Sequence, residues 1–309
     1  MSPDTPVLLV TWNRPAITRK VLEAIRVAEP SQLFVAGDGP RHAEDERLIG
    51  EIQALVKEMV DWPCVVSTSY ADANLGCRLG VTRAIDWFFS QVEEGIILED
   101  DCVPHPDFFR FTAEMLEKYR HNPTVMHISG DNSVQARLPR GESYCFIRYP
   151  HIWGWATWSR AWAKFDRNLD KFAKVSTEGN LREIFPNDLE RNIWVPILSK
   201  LREENLPDTW DWRWSATLFV EGGLSIQPGK NLVSNIGHGR DSTHTRRKNI
   251  RADFPVEGIY PIAELEGVAR NLDVEMQVIR NSQIQLIGRG LFRRALLKLV
   301  RHLSSIGRK

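Results

Sequence analysis

Residues 95–109, GIILEDDCVPHPDFF, set three carboxylates in a row, Glu99, Asp100 and Asp101, directly after the apolar run Ile96, Ile97 and Leu98. Two carboxylates about 6 Å apart repel by roughly 3 kcal/mol at an effective dielectric near 20. Such a cluster therefore needs a cation or several hydrogen-bond donors beside it. Carboxylate oxygens are preferred ligands of hard divalent cations such as Mg2+ and Mn2+, and a metal bridging carboxylate to phosphate would account for the charge. Solvation, or capping of the helix expected from Pro106, is the simpler explanation. A second acidic pair, Asp208 and Asp211, stands among tryptophans in DTWDWRW. Aromatic walls desolvate a carboxylate and raise its basicity, which suits it to proton abstraction; either aspartate could instead cap a helix. The loop GHGRDSTHTRRK carries His238, His244, Arg240, Arg246 and Arg247. Imidazole can complete a metal site and arginines can neutralise a leaving diphosphate. Trp153 and Trp155 flank Gly154. They could offer ring faces to the apolar C–H side of a bound sugar, with glycine allowing close approach, or they could pack in the core.

The elements that must position these residues follow from periodicity. Short, apolar, β-branched runs predict strands at 6–12, 32–38, 64–70, 95–100 and 124–130. Helical spacing predicts helices at 15–28, opening on Pro15, and at 44–60, 76–92 and 106–122. This alternation implies an α/β fold with a mostly parallel sheet and helices on both faces. Ligands in such sheets bind beyond the carboxyl ends of the strands. The polar residues there are Asn13 and Arg14, then Asp38, Asn74 to Arg78, the three acids at 99–101, and Asp131 with Asn132. After residue 140 the pattern changes: 143–166 and 208–223 are dense in aromatics, and LSIQP and NLVSNIG predict short strands. No repeat or low-complexity linker marks a boundary. The division expected is 1–140 for the alternating half, 141–258 for a second half that completes the same domain, and 259–309 for a C-terminal extension. The tail 288–309 has seven Lys or Arg, no acid, and apolar residues at helical spacing. That pattern fits an amphipathic helix lying in the plane of a membrane surface, or a helix docked on the core.

An E-D-D cluster ending an apolar strand and followed by P-D-F-F resembles the nucleotide-sugar-dependent glycosyltransferases of the GT-A fold. It is most similar to the N-acetylglucosaminyltransferase I group. TWNRP and GDGP resemble that group's first and second strand ends, and NLGCRLG, WGWATWSRAW and NLVSNIGHGRDSTHT resemble bacterial relatives. The similarity spans roughly 6–245. It implies that Asp101 ligates the metal, with Asp100 and Glu99 contacting ribose and donor sugar. It implies that Arg14 and Asp38 hold the base, Asp38 accepting from an imide N–H as in uracil, with Asn13 in the same segment and Arg78 near base or phosphates. Asp211 matches the catalytic base of an inverting transfer, with Asp208 the rival because this chain has D-x-x-D where the family has adjacent acids. His244, in the T-H-T element, becomes the further metal ligand.

Composition bounds the alternatives. Lys plus Arg and Asp plus Glu both number 40 among 309 residues, so the net charge is zero; wholesale nucleic-acid binding is not expected. Four scattered cysteines form no C-x-x-C pair, which fits a reducing compartment. No signal-peptide pattern and no apolar run of about 18 residues is present. The expectation is a cytoplasmic, Mn2+- or Mg2+-dependent transferase on the inner membrane face or free in solution. It would move a sugar from a nucleotide-diphosphate donor, UDP by preference, to a saccharide or lipid-linked acceptor. A nucleotidyltransferase making nucleotide sugars and a non-catalytic, membrane-associated carbohydrate-binding protein are the alternatives. The first lacks its usual glycine-rich, basic first loop here, since TWNRP stands in that place.

Overall fold

The computed structural model describes residues 5–204, 208–237 and 254–288. β1 (Val7–Thr11) is followed by α1 (Pro15–Ala28), β2 (Gln32–Gly37), α2 (Ala43–Met59), β3 (Val65–Tyr70), α3 (Gly76–Phe89) and β4 (Glu94–Glu99). Then come β5 (Cys102–Pro104), α4 (Pro106–Tyr119), β6 (Val125–Ser129), β7 (Tyr144–Ile147), β8 (Trp155–Trp158) and α5 (Ser159–Trp162). Four helices, α6 (Asp170–Thr177), α7 (Leu181–Ile184), α8 (Asp188–Glu204) and α9 (Asp211–Glu221), precede β9 (Leu224–Pro228), β10 (Val233–Asn235) and α10 (Leu272–Gly288).

Eight strands form one sheet in the order β3-β2-β1-β4-β8-β6-β9-β7. The sheet is mostly parallel. β3, β2, β1 and β4 run together, β6 and β9 share their direction, and only β8 and β7 are reversed. Strands from both the 1–140 and 141–258 stretches thus belong to one sheet. Alternate residues of its central strands are buried on opposite faces. Val7, Leu9, Ile96 and Leu98 pack with α1, α2 and α4. Leu8, Val10 and Ile97 pack with α3 and with Trp210 and Trp214 from the α9 segment. Full burial of each such aliphatic side chain contributes about 1.5–3 kcal/mol. A third cluster joins β7 to α6, α8, α9 and α10.

α1 shows how local sequence sets up the sheet edge. Pro15 fills the first helical position, where the missing N–H costs nothing. The Arg14 carbonyl takes the Thr18 amide and hydroxyl, and Thr18, Val21, Leu22, Ile25 and Ala28 make the buried stripe. Arg14 is therefore the last residue before the helix, at the carboxyl end of β1. Among the described residues no helix is long and apolar enough to cross a membrane. The basic tail expected to form a surface helix lies outside the described residues beyond Gly288, as do His238, His244, Arg240, Arg246 and Arg247.

Candidate active site

The sheet's carboxyl edge gathers charged side chains from four distant stretches. Glu99 closes β4, and Asp100 and Asp101 form the turn into β5. β5 pairs antiparallel with β10, Asn235 standing opposite Cys102. This ribbon carries 235–237 onto the acidic turn: the Ile236 amide donates to the Asp101 carbonyl at 2.9 Å, and the Asn235 amide to Asp101 Oδ1 at 3.0 Å. Gly237 backs onto the same carboxylate, and a Cβ there would lie 2.0 Å from Asp101 Oδ2. Only glycine leaves Asp101 where it is.

Arg14 reaches this turn from the head of α1. Its Nη2 donates to Asp100 Oδ1, its Nε lies 3.3 Å from Asp100 Oδ2, and Nη2 is 3.0 Å from Asp101 Oδ2. The cation that the sequence demanded for its acidic run is present as a guanidinium, with the fork geometry that suits paired carboxylate oxygens. Burial opposes the charge on Arg14, but Asp100 and Asp101 outweigh it and the pKa is raised. Burial likewise raises the Asp100 carboxyl, against the pull of Arg14. Burial, with Asp101 and Asp100 adding repulsion, pushes Glu99 up to about 8.

Asp208 and Asp211 enter from the start of α9. Asp208 pairs with Arg78 of α3, Nε to Oδ1 at 3.2 Å, and its Oδ2 lies 2.8 Å from where a Cβ on Gly76 would stand. Asp211 accepts from the Thr209 hydroxyl. The acids converge on Cys77: burial first, then Glu99, Asp211, Asp208 and Asp101, push its thiol up. Asp211 also adds to the repulsion on Glu99. Residues separated by more than a hundred positions thus share one electrostatic environment.

What holds α9 there is aromatic. Trp155 on β8 stacks on Trp210 at 5.4 Å between ring centroids and on His127 at 4.9 Å. Trp214 donates from Nε1 to His127 Nδ1 at 3.1 Å, while His127 Nε2 is 3.0 Å from the His151 carbonyl. A carbonyl can only accept and an indole N–H can only donate, so this imidazole is the neutral Nε2–H tautomer. Burial lowers its pKa to about 3.

Several sequence expectations need correction at this point. Trp155 is fully buried, so its ring packs α9 against the sheet and presents no face to an acceptor sugar. Gly154 does permit a close approach, but the group that approaches is Val233, 2.7 Å from a Cβ placed there. Trp153 is partly buried against the same core. Asp38 is saturated. Its carboxylate accepts from the amides of Gly39, Leu75 and Gly76 and from the Asn74 side chain, all within 2.8–3.1 Å. Four donors fill its in-plane lone pairs, so it caps α3 and has no acceptor site left for a base imide. Asn13 donates to Asp45 at 2.6 Å, fastening the β1–α1 loop to the head of α2. Asn235 and Gly237 were not singled out from sequence. Their only signal is a glycine two residues after a short strand, because the partner strand lies about 130 residues earlier.

Among the described residues no group of three His, Cys, Asp or Glu is placed to hold a metal. Mg2+-type sites are commonly held by one or two carboxylates and completed by substrate phosphates and water. Asp101 with one neighbouring carboxylate would suffice for such a site once the Arg14 guanidinium is off Asp101.

No protein-family model matches the chain, and no curated protein matches it. Among solved structures it is similar to a mannosyltransferase from Pyrobaculum calidifontis in complex with GDP-Man and Mn2+, at 13% identity and a TM-score of 0.35, over 55% of this chain and 47% of that one. It is similar to 4-diphosphocytidyl-2C-methyl-D-erythritol synthase from Anaerococcus prevotii, at 13% identity and a TM-score of 0.35, over 60% of this chain and 84% of that one. It is also similar to the WbbM bifunctional glycosyltransferase in its apo structure, at 11% identity and a TM-score of 0.32, over 71% of this chain and 38% of that one. The chain spans about half the length of the mannosyltransferase and less than half of WbbM. Overlaps of this extent carry no argument about activity, and the functional conclusion rests on the site's own residues.

Proposed function

We propose that the chain is a metal-dependent glycosyltransferase of the GT-A type that moves a sugar from a nucleotide-diphosphate donor to a saccharide or lipid-linked acceptor. One observation carries the reading: Arg14, Arg78, Glu99, Asp100, Asp101, Asp208 and Asp211 meet at the carboxyl edge of a mostly parallel sheet, where such folds bind phosphorylated ligands. Asp101 would hold the Mn2+ or Mg2+, together with His244 from the basic loop. When bound, that ion supplies positive charge to the diphosphate leaving group. Glu99 and Asp100 would contact the ribose and sugar hydroxyls, and Arg14 and Arg78 would supply donors for the phosphates or the base. Asp211 takes the proton of the acceptor hydroxyl as its oxygen bonds to the anomeric carbon. The bond from that carbon to the diphosphate breaks on the opposite face, so configuration inverts and a nucleoside diphosphate leaves. The carbohydrate-binding alternative loses half of its aromatic platform with the burial of Trp155.

Paired variants separate the roles. Asp101→Asn is expected to abolish metal-dependent nucleotide binding, read by calorimetry. Asp211→Asn is expected to keep that binding and lower transfer by about a hundredfold or more, the usual contribution of a positioned base. Unchanged turnover in Asp211→Asn would remove it from the mechanism.

A further inference from the structure

We propose that Arg14 is a built-in counter-cation that competes with the divalent metal for Asp101, so that the metal enters only as the guanidinium leaves. The inference rests on the donor-site role proposed above. Asp101 has little room for two cations. Its Oδ1 already accepts from the Asn235 amide at 3.0 Å. Its Oδ2 is walled by Gly237, where a Cβ would fall 2.0 Å away, and meets Arg14 Nη2 at 3.0 Å on its remaining side. A guanidinium and a divalent ion at that one oxygen would repel each other strongly at such range.

The exchange needs no movement of the fold. The Arg14 backbone is fixed by Pro15 and by the Thr18 bonds to its carbonyl, but the side chain has four rotatable bonds and keeps partial exposure, 14%. When it lets go of Asp101, Arg14 remains at the sheet edge, where a diphosphate offers it charge-assisted bonds. Nucleotide and metal then assist one another: the nucleotide draws Arg14 off the carboxylates, and the metal takes its place. By linkage each ligand raises the affinity of the other by the same factor. Without nucleotide, Arg14 keeps the acidic turn neutralised and guards it against stray cations.

The test is Mn2+ affinity of the full chain, followed by the spin-resonance signal of free Mn2+, with and without UDP. Without UDP, Arg14→Gln is expected to bind Mn2+ about tenfold tighter than wild type, or more, since an ion-paired hydrogen bond no longer has to be broken. UDP is expected to strengthen Mn2+ binding more in wild type than in the variant. Arg14→Lys keeps the charge but loses the fork; it guards against a folding defect in the glutamine variant and should show a smaller gain in the same direction. Equal or weaker Mn2+ binding in both variants, with Asp101→Asn still abolishing it, would overturn the competition and leave the donor site standing. If Asp101→Asn binds Mn2+ as wild type does, or none of the proteins binds it, the donor-site reading falls and the competition falls with it.

Discussion

At the scale of single residues the acidic turn is a charge balance held by one arginine. Glu99, Asp100 and Asp101 present three carboxyls to Arg14, and the Glu99 carboxyl is pushed up to about 8 by burial and by its two neighbours. The consequence for stability has a definite sign. Below pH about 4.5 the carboxyl is protonated in both folded and unfolded chains. Between there and 8 the folded chain retains a proton that the unfolded chain releases, so stability falls as pH rises. Glu99→Gln lacks this dependence. Relative to wild type it is expected to gain roughly 3 kcal/mol between pH 5 and pH 8, measured by urea unfolding at both; a constant difference across that range would contradict the placement of Glu99. The sequence made the three acids and Arg14 candidates individually, because each follows a strand of obvious periodicity. It could not show that Arg14 grips two of them, nor that Asp38 spends its lone pairs capping α3. Both depend on which strand ends are neighbours.

Among elements, the division between legible and hidden is that between local and non-local pattern. β1 to β4, β6 and α1 to α4 all lie within a few residues of the ranges read from periodicity, since each strand or helix announces its own buried face. β8 was hidden in an aromatic run. It is an antiparallel strand inserted between β4 and β6, and nothing in WATW itself specifies that position. Its tryptophan also decides between two roles offered by the sequence. A fully buried Trp155, stacked between Trp210 and His127, is a wedge that seats the head of α9 and hence Asp208 and Asp211. Trp155→Ala is expected to cost about 3–5 kcal/mol, read as a lower urea midpoint, whereas Trp153→Ala, only partly buried, should cost less. A Trp155→Ala protein as stable as wild type would return that ring to the surface.

Taken as a whole, the molecule concentrates its chemistry at one edge of a sheet whose interior is apolar on both faces. Net charge is zero, so under the proposed function attraction of an anionic donor would depend on a local ion and on Arg14 and Arg78, not on a global field. That whole-molecule arrangement, with a metal coupling the carboxylates to a nucleoside diphosphate, is the central claim. It is tested most directly by thermal unfolding of the full chain against UDP, GDP and ADP, each with and without Mn2+. A ligand at a hundred times its Kd adds about 2.7 kcal/mol of stability, enough to move the transition measurably. The account predicts stabilisation by a nucleoside diphosphate only when Mn2+ is present, and the panel then identifies the base. If no nucleotide moves the transition with Mn2+ present, the acidic turn is not a donor site and the account fails.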